Sequence, residues 1–135
     1  MSVESWDPNA DAQKKSYTLN HDVLLNIIEQ RQKHPEQPIA EYFDAEALQI
    51  HSAMMKVDRE SWLNTIGRFT EAQLLSLIEF LTLAEKQISS WQAGADSPVI
   101  YIVKFMRQSK MPLNKDMLLW IKANSDNRFL PNGPL

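Results

Sequence analysis

The stretch TEAQLLSLIEFLTLAEKQISSWQAG, Thr70 to Gly94, decides the fold. Leu74, Leu75, Ile78, Leu81, Ala84 or Glu85, Ile88 and Trp91 recur every three or four residues, the period of one helix face. Thr70 and Gln73 have capping-box spacing, in which the hydroxyl and the amide each satisfy a backbone N–H. Gly94 stands where a left-handed residue closes a helix. The spacing predicts one long central helix over 71–93. At 1.5 Å per residue it spans about 34 Å, the length of a small domain.

Upstream, Asn20 can cap a helix through its side-chain oxygen, and Leu24, Leu25, Ile27, Ile28 and Arg31 follow at helical spacing. The segment KHPEQP ends that helix, since Pro35 and Pro38 remove donors and disfavour the turn before them. Pro38 suits the first turn of a second helix, whose stripe reads Ile39, Phe43, Ala47, Ile50, Met54. Asp58 caps a short piece carrying Trp62, Leu63, Ile66 and Phe69.

Downstream, SPVIYIVKFMRQS is ambiguous. Ser97 and Pro98 read as a cap and a first turn, whereas Val-Ile-Tyr-Ile-Val has the composition of a strand. With helices on both sides and no strand partner, a buried helix is the favoured reading. A last helix runs from Asn114 through Met117, Leu118 and Ile121. The chain has only three glycines and little period-two alternation. The expectation is an all-α, single-domain bundle of five or six helices over 17–124. A flexible segment, 1–16, precedes it, and an extended tail, 125–135, follows.

At 135 residues and 15.6 kDa the chain can bury a core without staples. It has no cysteine, which favours a reducing compartment. The N-terminus carries early acids and no apolar run of leader length, and nowhere do eighteen apolar residues run uninterrupted. A cytoplasmic protein with no membrane partner is expected. Net charge is −3, but unevenly spread. Residues 1–96 hold 8 Lys/Arg against 15 Asp/Glu, while residues 97–135 hold 6 against 2. Either the two parts attract across the fold, or a basic face is offered to an acidic partner.

The sequence points to no catalytic residue, metal or cofactor. His21, His34 and His51 lack the paired spacing that converges ligands on zinc. No nucleophile elbow precedes a helix, and Ser89 and Ser90 read as surface. Glu41, Asp44 and Glu46 are explained by a solvated face, and the acids of the long helix, Glu71, Glu79 and Glu85 against one lysine, exclude a basic amphipathic membrane helix. Glycines are too few and scattered for a phosphate loop. An enzyme built on an unrecognised acid pair is a third-ranked reading.

ISSWQAGADSPVIYIVKFMRQ, Ile88 to Gln108, resembles the back half of a repressor-type helix-turn-helix domain: Ile-x-x-Trp-x-x-Gly, then Ser-Pro and a helix. The resemblance covers 21 of 135 residues. It implies a DNA-associated regulator, with nearby Lys104, Arg107 and Lys110 as a basic face gripping phosphates. The pattern departs before the tryptophan, where the family has a turn and Phe80–Gln87 reads as continuous helix. With the acidic 1–96 portion, nucleic acid is a disfavoured partner.

The closing residues SDNRFLPNGPL are neither linker nor helix. Asn124 tolerates a left-handed helix end, and Ser125, Asp126 and Asn127 can bond their own backbone. Arg128 offers a five-donor fork, Phe129 and Leu130 are apolar, and Pro131 stiffens the chain behind them. Three readings stay open: a strap whose Phe129 and Leu130 plug the bundle, with Phe129 carrying most of the hold and Arg128 paired to an N-terminal acid; an arm that, with Trp120 at its root, meets a partner; or plain disorder. The functional expectation is a non-catalytic protein-binding or oligomerising module. Its candidate surface is Trp120, Asn124, Asp126, Asn127, Arg128 and Phe129, and its partner another protein or a second copy.

Overall fold

Asn20 opens the first helix because its side-chain oxygen accepts the backbone N–H of Asp22 at 2.8 Å and Val23 at 3.2 Å. The structure, a computed structural model, describes residues 17–132; the expected flexible segment 1–16 lies outside them. Six α-helices follow in order: α1 (His21–Lys33), α2 (Ala45–His51), α3 (Arg59–Ile66), α4 (Glu71–Gln87), α5 (Pro98–Gln108) and α6 (Lys115–Ala123). Short 3-10 turns join them at Ile39–Glu41, Ser52–Lys56, Ser89–Trp91 and Gly94–Asp96. The described residues contain no strand, and the protein is all-α.

The caps that begin these helices are local chemistry. Asp44, Asp58, Ser97 and Asn114 each accept a backbone N–H of the first turn. Thr70 and Gln73 complete the reciprocal capping box. Pro98 occupies the first turn of α5, where its missing N–H costs nothing. That resolves the ambiguous apolar run as helix, with Val99, Ile102, Val103 and Met106 buried.

α4 is the central element. Leu74, Leu77, Ile78, Phe80, Leu81 and Ala84 are fully buried on it, and α1 and α5 both pack along it. A helix apolar around so much of its girth must be enclosed. Arg31 fixes α1 against α4 by donating from Nε to the Glu79 carboxylate at 2.8 Å. α3 packs on α5 from the other side, with Trp62 wholly buried and its indole N–H donated to the Met54 carbonyl at 3.1 Å.

Three expectations need correction. The long helix ends at Gln87, because Ile88 is extended at φ −130°, ψ 112°, and Ser89–Trp91 form a 3-10 turn. Trp91 still reaches the core, so the apolar spacing outlasts the helix that produced it. The stripe 39–54 is likewise interrupted: the backbone leaves helix between Tyr42 and Asp44, turning Tyr42 inward and leaving Ile50 55% exposed. Asn124 is not left-handed, at φ −110°, ψ 12°. Gly94 is left-handed as expected, at φ 57°, although it opens a 3-10 turn instead of closing the long helix, and Lys110 shares the conformation at φ 65°. Lys110 and Met111 close α5 by donating their N–H groups to the carbonyls of Arg107 at 3.2 Å and Met106 at 2.7 Å. This is a Schellman motif with a lysine in the glycine position.

No helix among the described residues is long and apolar enough to cross a membrane.

Candidate functional site

Glu85, which shares with Ala84 one position of the apolar stripe in the sequence, is 4% exposed. It sits in the last turn of α4, at an apolar-spaced position, so the helix aims it inward. A carboxylate withdrawn from water needs donors around it. Three are supplied from three segments. One oxygen accepts the Ala93 backbone N–H at 3.1 Å and the Asn127 side-chain amide at 3.1 Å. The other accepts the Ser97 hydroxyl at 2.6 Å. Ser97, itself fully buried, also accepts the Val99 N–H and so caps α5.

This arrangement explains why α4 stops early. Had the helix continued to residue 93, the Ala93 amide would lie two turns along the axis from Glu85 and bond within the helix. The 3-10 turns fold it back onto the carboxylate instead.

Asn127 joins the tail to this centre. Its amide also donates to the Gly94 carbonyl at 2.9 Å, and its side-chain oxygen accepts the Phe129 N–H at 2.9 Å. Its own N–H donates to the Ser125 hydroxyl at 2.9 Å. One asparagine thus bonds both the body and the turn that carries it. Lys86 reaches Asp126 at 3.2 Å, and Arg107 donates to the Asn132 side chain at 2.8 Å, both at the surface. Leu130 is 6% exposed and Pro131 is buried, whereas Phe129 is only half-buried. The apolar anchor of the tail is therefore Leu130, not Phe129. Phe129 lies under the Arg128 guanidinium, 4.9 Å from the ring centre.

Between the 88–96 turns and the tail lies a cleft of about 280 Å³, lined by Glu85, Gln92, Gly94, Asp126, Asn127 and Arg128. The structure thus brings Asp126, Asn127 and Arg128 of the candidate surface together. Trp120 lies apart, half-buried against the core, and Asn124 donates from its amide to the Trp120 carbonyl at 2.9 Å. Lys104, Arg107 and Lys110 are exposed and do not line the cleft.

Sequence reasoning missed Glu85, Gln92 and Gly94 as parts of one site. Only an acid at an inward helix position signalled it. The helix-turn-helix pattern also needs correction at its point of departure: a break does precede Trp91, at Ile88. The helix after it, α5, turns most of its length into the core.

The walls carry one buried carboxylate, a rim carboxylate, a rim guanidinium and two amides. They can exchange hydrogen bonds and charge with a polar group. Among the described residues no cluster of three or more His, Asp or Glu is placed to hold a metal ion. No protein-family model matches the chain, and neither the curated proteins nor the solved structures include a significant match.

Proposed function

We propose that this chain is a non-catalytic, cytoplasmic protein-binding module whose working surface is the cleft between the 88–96 turns and the tail. The observation that carries the reading is the size and lining of that cleft. At about 280 Å³ it falls just below the ~300–1,000 Å³ of pockets that enclose whole small molecules. It fits a single inserted side chain, and its rim offers both Asp126 and Arg128 to a polar one. The inner wall is Glu85, held in place by three donors, so it needs no rearrangement before binding.

A photo-crosslinking residue in place of exposed Gln92 tests this in tagged protein purified from cells. The reading expects a discrete crosslinked partner, lost in Arg128→Glu while the melting temperature stays within a degree or two of the parent. No crosslink, or one of equal strength in Arg128→Glu, contradicts it.

One observation favours a second reading. Lys104, Arg107 and Lys110 are all exposed, and none forms an ion pair among the described residues. Retention of random duplex DNA at about 0.15 M salt, falling steeply as salt rises, would replace the first reading if Lys104→Glu with Arg107→Glu abolished it.

A further inference from the structure

Beyond its buried anchors Leu130 and Pro131, the tail meets α5 through one contact. Arg107 donates from Nη2 to the Asn132 side-chain oxygen at 2.8 Å, and both residues are exposed. A guanidinium can only donate, so it is the oxygen of this amide, not the nitrogen, that faces Arg107.

The residue after Asn132 is Gly133, and this is the only Asn-Gly step in the chain; every other asparagine precedes a residue with a side chain. An asparagine before glycine is chemically labile. The backbone nitrogen of the next residue can attack the side-chain carbonyl carbon, and glycine, with no Cβ, hinders that attack least. As the new C–N bond forms, the attacking nitrogen gives its proton to solvent and negative charge gathers on the side-chain oxygen. The tetrahedral centre then expels the amide nitrogen as ammonia and leaves a five-membered succinimide. Water opens the ring at either carbonyl, giving an aspartate or its isopeptide-linked isomer. Water is the only co-reactant, and nothing is oxidised or reduced.

Arg107 bears on the first of these steps. Its N–H is already bonded to the oxygen on which charge develops, the placement that stabilises an oxyanion. It forms no ion pair among the described residues, so no carboxylate neutralises it. We propose that Asn132 is a self-modification site, at which Arg107 promotes loss of the amide. In the aspartate product the same oxygen stays against Arg107 as part of a carboxylate. A neutral hydrogen bond thereby becomes a charge-assisted one, and the tail is fastened more tightly to α5. Neither residue lines the cleft, so the inference stands or falls apart from the function proposed above.

The test incubates the purified full chain at neutral pH and follows it by peptide mass spectrometry. The parent should lose the Asn132 amide ahead of every other asparagine. Arg107→Met keeps the aliphatic stem and removes every donor; folded, it should react at least ~3-fold more slowly. That factor is far below the ~10²–10³-fold of an enclosed oxyanion site because Arg107 is exposed. In denaturant the two chains should react alike, which separates the contact from the local sequence. Asn132→Asp, the product made directly, should melt above the parent at low salt, and the gain should fade as salt screens it. Circular dichroism will confirm that both variants keep their helices. A parent that keeps this amide, or loses another one first, overturns the proposal. So does Arg107→Met reacting as fast as the folded parent, a difference between them that persists in denaturant, or Asn132→Asp melting no higher than the parent.

Discussion

α4 and α6 come from the same chain and have similar apolar content, yet the protein uses them differently. α4 buries nine of its seventeen residues, and its neighbours surround it. α6 buries one of nine. The segment beyond α6 is fixed by a few polar bonds centred on Glu85 and Asn127, with Leu130 as a single apolar anchor. Burial of apolar area is additive and hard to undo piecemeal. Hydrogen bonds to one carboxylate fail together when a partner is removed. The first region keeps the protein folded, and the second can be altered while the first stands.

The largest effect separating the two is expected from Leu81→Ala. Leu81 is fully buried at the centre of α4, and its truncation should cost about 2–5 kcal/mol in denaturant unfolding. Leu119→Ala on α6, where the side chain is 54% exposed, should stay within about 0.5 kcal/mol. Equal losses would erase the distinction.

Within the tail, Leu130→Ala should cost about 2 kcal/mol, at the low end of the range because the chain end can relax around the gap. Phe129→Ala should cost less than half as much. The reverse order would mean that the ring, not the leucine, closes the bundle.

Much of this division could be read in the sequence, and its limits are physical. Helix starts were legible wherever a cap acts within three residues, as at Asn20, Asp58, Thr70, Ser97 and Asn114. The end of α4 was not, because Ile88 and Trp91 keep helical spacing while the backbone has already left the helix. Ile50 misled for a related reason: a stripe is meaningful only within one unbroken helix, and the chain bends at Tyr42–Asp44. At the candidate site, Asp126, Asn127 and Arg128 stood out through their turn chemistry. Their partner could not, since Glu85 lies 42 residues from Asn127 and the bond between them exists only after folding.

Lys110 offers a smaller test, with the opposite sign. A side chain in the left-handed region carries strain of about 1 kcal/mol that glycine does not. Lys110→Gly should therefore stabilise the protein by up to about 1 kcal/mol, visible as a higher melting temperature. A loss would show that the lysine makes a compensating contact.

The smallest effect is expected at His51, whose Nδ1 lies 2.9 Å from the Tyr17 hydroxyl. Burial pushes its pKa below the ordinary 6.5. Between the lowered folded value and 6.5 the unfolded chain holds more protons, so stability falls as pH drops through that window and is fully present above it. Melting should be lower at pH 5.5 than at pH 7.5, and the difference should shrink in His51→Gln. An unchanged difference would assign the pH response to other groups.

The central claim is that the tail is held to a rigid body by one polar centre. Amide hydrogen exchange in Asn127→Ala tests it most directly. The readout is the Leu130 amide, whose own acceptor, the Asn127 carbonyl at 3.1 Å, survives the substitution. The account predicts that Leu130 loses protection at least ~10-fold while amides in the middle of α4, at Leu77 and Leu81, keep theirs. Unchanged protection at Leu130, or an equal loss at Leu81, would contradict it.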